Sequence, residues 1–182
     1  MSHYRRAQQT GGTYFFTVVT YRRQPFLCDD DVRAALRNAI EQVRERRGFH
    51  IDAWVLLPDH LHCIWTLPKD DADFSTRWSR IKRHVTQQCG LRLLQPEWLT
   101  ASKQSHREST LWQRRFWEHV IRDEAYYRAH VDYLHYNPVK HGYVKRAMDW
   151  PYSSFHRYVK EGVYEPDWGV GYKNNRDVSE PV

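Results

Sequence analysis

Two apolar runs, Ile51–Leu57 and Leu61–Leu67, are separated only by Pro58-Asp59-His60. That spacing leaves room for two strands and a tight connection, so this part of the chain is held to a β-hairpin and hence to an antiparallel sheet. Side chains on a strand alternate faces. Leu61 therefore points into a core while His60 and His62 project together from the other face.

Flanking segments extend the sheet. Thr13-Tyr-Phe-Phe-Thr-Val-Val-Thr20 follows Gly11-Gly12 and is dense in β-branched and aromatic residues, which predicts a strand. Asp30–Arg47 sets Val32, Leu36, Ala39, Ile40 and Val43 on a helical stripe that Gly48 ends. Beyond Pro68 and the polar Lys69–Asp73, a second helix is expected over Phe74–Gln88, with Arg77, Arg80, Lys82 and Arg83 on its polar side. Cys89–Gln113 has weak periodicity and reads as a long loop. Arg115–Ile121 predicts another strand. Asp123 then starts a helix over Glu124–Tyr136, with Tyr127, His130, Val131 and Leu134 as its buried stripe and Pro138 as its limit. The order β-α-β-β-α-β-α predicts an α+β fold: an antiparallel sheet in a split βαβ (ferredoxin-like) arrangement, helices mainly on one face. Residues 1–168 read as one domain, and 169–182 as a mobile tail rich in Gly, Asn, Asp and Pro.

Composition narrows the function. With 182 residues, 41% hydrophobic and 15% aromatic, the chain is neither disordered nor fibrous. No apolar run approaches the ~20 residues of a membrane helix, so no membrane role is expected. The opening Met-Ser-His-Tyr-Arg-Arg does not read as a secretory signal. Cys28, Cys63 and Cys89 are widely spaced with no C-x-x-C, which fits a reduced, cytoplasmic protein. Lys plus Arg is 28 against 22 Asp plus Glu, a net charge of +6, and 21 of the cations are Arg. Arginine grips phosphate bidentately, and with 8 Trp and 12 Tyr it suits a partner that offers phosphates and unstacked bases. A basic but otherwise ordinary soluble enzyme fits the composition equally well.

Two clusters carry candidate chemistry. Two imidazoles on one strand face make half of a divalent-metal site, although an H-x-H pair arises readily by chance in a chain with 11 His and also suits ordinary surface histidines. The second cluster is His130-Val-Asp-Tyr133-Leu-His-Tyr136-Asn137-Pro138-Val-Lys140-His141-Gly142. On a helix Tyr133 and Asn137 are one turn apart on the same face. The plain alternative is a tyrosine snorkelling at the core edge. Asp59 is either a partner of a ligating histidine or, as favoured here, ordinary turn chemistry. His119, His130, His135 and His141 are read as structural or DNA-facing.

The H-U-H hairpin (U a bulky apolar residue) and the His130–Gly142 block resemble the REP-associated tyrosine transposases, which belong to the single-tyrosine HUH endonucleases. The resemblance runs through Tyr4-Arg5-Arg6, Gly11-Gly12-Thr13, Trp54–Pro68, Phe74–Thr86, Trp112–His119, Tyr133–Gly142 and Trp150-Pro-Tyr-Ser-Ser-Phe155. It implies that His60 and His62 bind a divalent cation, Mg2+ or Mn2+, that Tyr133 is the nucleophile, and that Asn137 supplies the third ligand where insertion-sequence relatives carry glutamine. It also implies cleavage and strand transfer of single-stranded REP hairpin DNA through a 5′-phosphotyrosine link, in the bacterial cytoplasm and on the nucleoid, by a monomer rather than a dimer. Phosphate-contact candidates are Arg5, Arg6, Arg22, Arg23, Arg77, Arg80, Lys82, Arg83, Arg114, Arg115 and Lys140. Trp112, Trp117 and Trp150 are candidates for stacking on bases or, more ordinarily, for core packing. Two rival readings are a hairpin-binding protein without cleavage activity and a hydrolytic metal nuclease using an activated water.

Overall fold

The computed structural model describes residues 9–106 and 108–170, so Arg5, Arg6 and residues 171–182 of the expected tail lie outside the described residues. Four strands, β1 (Thr13–Val19), β2 (His50–Leu56), β3 (His60–Thr66) and β4 (Trp117–Val120), form one antiparallel sheet in the order β2-β3-β1-β4. The expected segments shift by a residue or two, as strand ends usually do, and Arg115–Ile121 contracts to the four residues that pair with β1.

Helices α1 (Asp30–Arg46) and α2 (Phe74–Leu93) pack side by side on one face, completing the split βαβ pattern. Tyr14, Phe16 and Val18 of β1 and Leu61, Cys63 and Trp65 of β3 meet them there. Phe15 and Ile64 point the other way, into a second apolar cluster with Val131 and Leu134 of α4 (Glu124–Lys140) and Phe155 of α5 (Phe155–Lys160). Helices therefore cover both faces rather than mainly one. The reason lies in β3, where residues on both sides of the strand are buried and each face needs a cover.

Two further expectations change. The stretch read as a long loop is partly helical: α2 continues to Leu93, followed by a 3-10 turn (Pro96–Trp98) and α3 (Ala101–Ser105). Cys89 and Leu93 extend the buried stripe of α2, which Gln87 and Gln88 before them and Gly90 between them obscure in the sequence. Pro138 does not stop α4 either. It sits in the last turn, where its missing N–H forfeits a single bond, and His141 N still donates to Asn137 O at 3.0 Å. The open edge of β2 is covered by the chain at Tyr152–Ser154, with Leu56 N donating to Tyr152 O and Ser154 N to Trp54 O. No helix among the described residues is long and apolar enough to cross a membrane.

Candidate active site

Register puts the two histidines in place. His62 pairs with Thr17 and His60 with Val19 of β1, on the face that α4 covers. A slip of one residue would turn both into the α1/α2 core. His62 Nδ1 lies 2.9 Å from the Thr17 hydroxyl. His60 Nδ1 lies 2.6 Å from Asp59 Oδ1, and Arg23 donates to the other carboxylate oxygen at 3.1 Å. Burial alone raises the Asp59 carboxyl, but the hydrogen bonds and charges of His60 and Arg23 outweigh it and hold it below the ordinary carboxylate range. An ionised Asp59 accepts from Nδ1–H, which leaves Nε2 as the nitrogen of His60 able to ligate. That Nε2 is buried without a hydrogen-bond partner. Asp59 is thus both a turn residue and the partner of a candidate ligand.

Helix α4 brings the other half. The Tyr133 ring stands edge-on to His62, with centroids 5.5 Å apart, and His141 stands edge-on to His60 at 5.2 Å. Asn137 is one turn from each of them, so it faces the same pair of imidazoles. It is 0% exposed, and neither its amide oxygen nor its nitrogen has a hydrogen-bond partner. The Tyr133 oxygen accepts a 3.4 Å hydrogen bond from Lys140 Nζ, which also lies 4.9 Å from the ring centroid. The described residues hold no cluster of three or more His, Cys, Asp and Glu. The convergent set is two imidazoles and an amide.

His141, read from the sequence as structural or DNA-facing, stands beside His60, and Lys140, read as a phosphate contact, also reaches the Tyr133 oxygen. The 133/137/141 spacing could have found His141, but only if the helix runs past Pro138. A second histidine pair behind Phe15 is separate from these residues: His119 Nε2 and His130 Nε2 are 2.6 Å apart, and His130 Nδ1 donates to Tyr126 O. Burial, then the neighbouring His130 and Arg122, push His119 down to about 3.

The phosphate-contact candidates separate into groups. Arg77 is a correction: it is 1% exposed, and its guanidinium donates to the carbonyls of Arg47, Gly48 and Asp73 and to the Asp71 carboxylate. It ties the end of α1 to the start of α2 and presents nothing to a ligand. Arg80, Lys82, Arg83 and Arg114 lie with α2 and the chain before β4, on the sheet face away from Tyr133, where Lys82, Arg83 and Arg114 line a cleft of about 430 Å3 with Trp112 at its wall; Arg115 is exposed just before β4. There Arg114 pairs with Glu108, and Lys82 donates to Gln113 O. The indole N–H of Trp112 is shared by Lys82 O and Thr86, so Trp112 packs rather than stacks on a ligand. Arg22 lies over the Trp98 ring. Among the candidates within the described residues, Arg23 reaches Asp59 beside His60 and Lys140 reaches Tyr133.

Paired histidines around a bulky apolar residue on a central strand, faced by a helix-borne tyrosine, define a class of protein: the single-tyrosine HUH group. Comparison with known proteins reaches the same class. Residues 8–137 match the family described as "Transposase IS200 like", a span that includes both histidines and Tyr133 and ends on Asn137, and the chain belongs to that family. A protein of Escherichia coli (strain K12) named REP-associated tyrosine transposase is 49% identical over 168 residues, 92% of this chain and 91% of that one. A relative from Haemophilus influenzae is 44% identical over 169 residues, 93% of this chain and 94% of that one. A solved structure described as the REP-associated tyrosine transposase bound to a REP hairpin superposes with a TM-score of 0.82 at 46% identity, covering 100% of this chain and 99% of that one.

Proposed function

We propose that the protein is a metal-dependent, single-strand DNA endonuclease and strand transferase that acts as a monomer on REP-type hairpin DNA. The observation carrying this reading is the orphaned polarity beside Tyr133: His60 Nε2 and both amide atoms of Asn137 are buried with no hydrogen-bond partner. Each such group costs roughly 1–3 kcal/mol, and two imidazoles with an amide oxygen make a mixed N/O set for a divalent cation, with Mg2+ or Mn2+ taken from the family resemblance. His60, His62 and Asn137 would hold the ion, oriented by Asp59 and Thr17 behind the imidazoles. When bound, a divalent cation supplies charge that offsets the developing negative charge on a scissile phosphate.

The chain's own residues do the rest. Tyr133 attacks phosphorus through its phenol oxygen, the bond to the 3′ oxygen breaks, and that oxygen leaves as a hydroxyl with one proton gained for the one the phenol gives up. The products are a 5′-phosphotyrosine and a free 3′-hydroxyl. Attack by another 3′-hydroxyl reverses the step and rejoins strands, so no energy source is needed. Lys140 Nζ places positive charge at the phenol oxygen as charge shifts there. Hairpin DNA is named as substrate because the solved relative at 46% identity is described as bound to a REP hairpin.

A second reading, hairpin binding without cleavage, is favoured by one observation: Tyr133 is only 3% exposed, and DNA must reach its oxygen. Incubation of labelled single-stranded hairpin DNA with the protein and Mg2+ or Mn2+, followed by denaturing electrophoresis, separates the readings. A covalent protein–DNA band with a cleaved 3′ fragment is expected. Binding without that band leaves the non-cleaving reading, and cleavage without it leaves a water-using nuclease.

A further inference from the structure

The turn from β1 to α1 holds two consecutive residues, Arg22 and Arg23, at φ +55° and +51°. A left-handed backbone costs an L residue roughly 1–2 kcal/mol, and neither position is Gly or Asn. The turn is held firmly all the same. Tyr21 N donates to Leu111 O at 2.8 Å, Arg23 N to Thr20 O at 3.2 Å, and the Thr20 N–H reaches Asp59 O at 2.9 Å.

What the strain delivers is the position of Arg23. Its guanidinium reaches Asp59 Oδ2 at 3.1 Å, and the other oxygen of that carboxylate holds His60. The Arg23 side chain is nevertheless 54% open to solvent. An exposed ion pair contributes about 0–1 kcal/mol, less than two left-handed residues cost, so the ion pair alone does not account for the turn. A guanidinium carries five N–H donors in a planar fork matched to phosphate oxygens. With one donor on Asp59, the fork stands at the edge of the candidate site with donors to spare. Most other candidate cations among the described residues lie on the far face of the sheet or are already committed within the protein.

We infer that Arg23 grips the DNA phosphate at the cleaved linkage or the one next to it, so that Asp59 couples strand binding to the orientation of His60. This inference rests on the cleavage reading proposed above. The test measures hairpin affinity by fluorescence anisotropy in a Tyr133→Phe background, which keeps the DNA intact, with one linkage of the unpaired flank at a time replaced by an uncharged methylphosphonate. Neutralising the critical linkage should weaken binding about tenfold when Arg23 is present. In Arg23→Gly that linkage should no longer matter, while the other linkages keep their effects. Glycine accepts the left-handed backbone, so this variant should melt at or above the parent temperature. Arg37→Ala, which removes the same charge from α1 on the opposite face, should leave the sensitive linkage unchanged. Unaltered sensitivity at every linkage in Arg23→Gly overturns the assignment, as does a lost sensitivity far from the cleaved position. A parent protein, Tyr133 intact, that forms no covalent adduct overturns the cleavage reading and this one with it; an adduct-forming parent indifferent to Arg23→Gly overturns Arg23 alone.

Discussion

The two faces of β3 differ in how they treat buried polarity. Towards α1 and α2, Leu61, Cys63 and Trp65 join an aromatic core in which Trp65 and Trp78 stack 4.2 Å apart at 14°. The buried cation on that side, Arg77, has acceptors on three carbonyls and a carboxylate. Towards α4, the same strand buries His60 and His62 against Asn137, whose amide is unsatisfied. The first face is built largely as a protein interior is normally built, its buried cation fully engaged, although the Trp78 indole N–H there lacks an acceptor. The second keeps polar atoms unengaged, at a cost in stability that a ligand can repay. On the proposed reading, folding and chemistry are carried by opposite sides of one strand.

The largest test of that division is Tyr133→Phe. Only the hydroxyl is lost, and the ring keeps its contacts with His62 and Phe15. Single-turnover cleavage should fall by a factor on the order of 10³ or more, with hairpin affinity within about twofold of the parent. A variant that still cuts at a comparable rate removes Tyr133 as the nucleophile.

Next in size is the stability face. Arg77→Ala strips the carbonyls at the end of α1 and the Asp71 carboxylate of their donor. Urea unfolding should show a loss of about 3 kcal/mol, the scale of breaking a buried ion pair. Hairpin affinity of the folded fraction should not change. Unchanged stability with weakened DNA binding would return Arg77 to the ligand-facing set.

Arg77 also illustrates what the sequence hides. The β-branched and aromatic run of β1, the hairpin and the α1 stripe were legible because each repeats a simple period over several residues. Periods of two and four place His60 with His62 and Tyr133 with Asn137 on shared faces, but it is the family resemblance that singles these residues out for chemistry. Arg77 was not legible, because position 77 falls on the buried stripe of α2 while its residue type signals solvent; only the tertiary neighbours reveal a guanidinium used as a staple. His141 was lost through Pro138, since ending the helix there hides the third turn of the 133/137/141 series. The hold of Arg23 on Asp59 spans 36 residues, which local pattern does not encode.

The pH dependence of stability sharpens the comparison further. His119, on the α4 side, is pushed down to about 3, first by burial and then by His130 and Arg122. A histidine depressed in the folded state favours the neutral form there, so the unfolded chain takes up the proton first. Its effect is absent above pH 6.5, and stability falls as pH drops from 6.5 towards 3. At pH 4.5 the expected loss is about 2 kcal/mol. His119→Gln should flatten the pH profile of urea midpoints between pH 6.5 and 4.5. A variant profile parallel to the parent's places the acid sensitivity elsewhere.

The smallest expected change in stability belongs to Asn137→Ala, and it opposes Arg77→Ala directly. Removing Arg77 orphans groups that were satisfied, whereas removing Asn137 removes groups that already lack partners. The small cavity left behind is offset by an amide that no longer needs solvation, so unfolding free energy should stay within about 1 kcal/mol of the parent. Divalent-ion affinity, measured by titrating Mn2+ in calorimetry, should weaken about tenfold or more, the loss that follows even when only a ligand's outer partner is removed. Cleavage should then recover partly at raised metal concentration. His60→Ala and His62→Ala should be more damaging, because an imidazole is the stronger ligand. The opposing account makes Asn137 a packing residue of the last turns of α4, where it is 0% exposed. On that account Asn137→Ala destabilises the fold by a few kcal/mol and leaves the Mn2+ midpoint where it was, and an unchanged midpoint removes Asn137 from the ligand set.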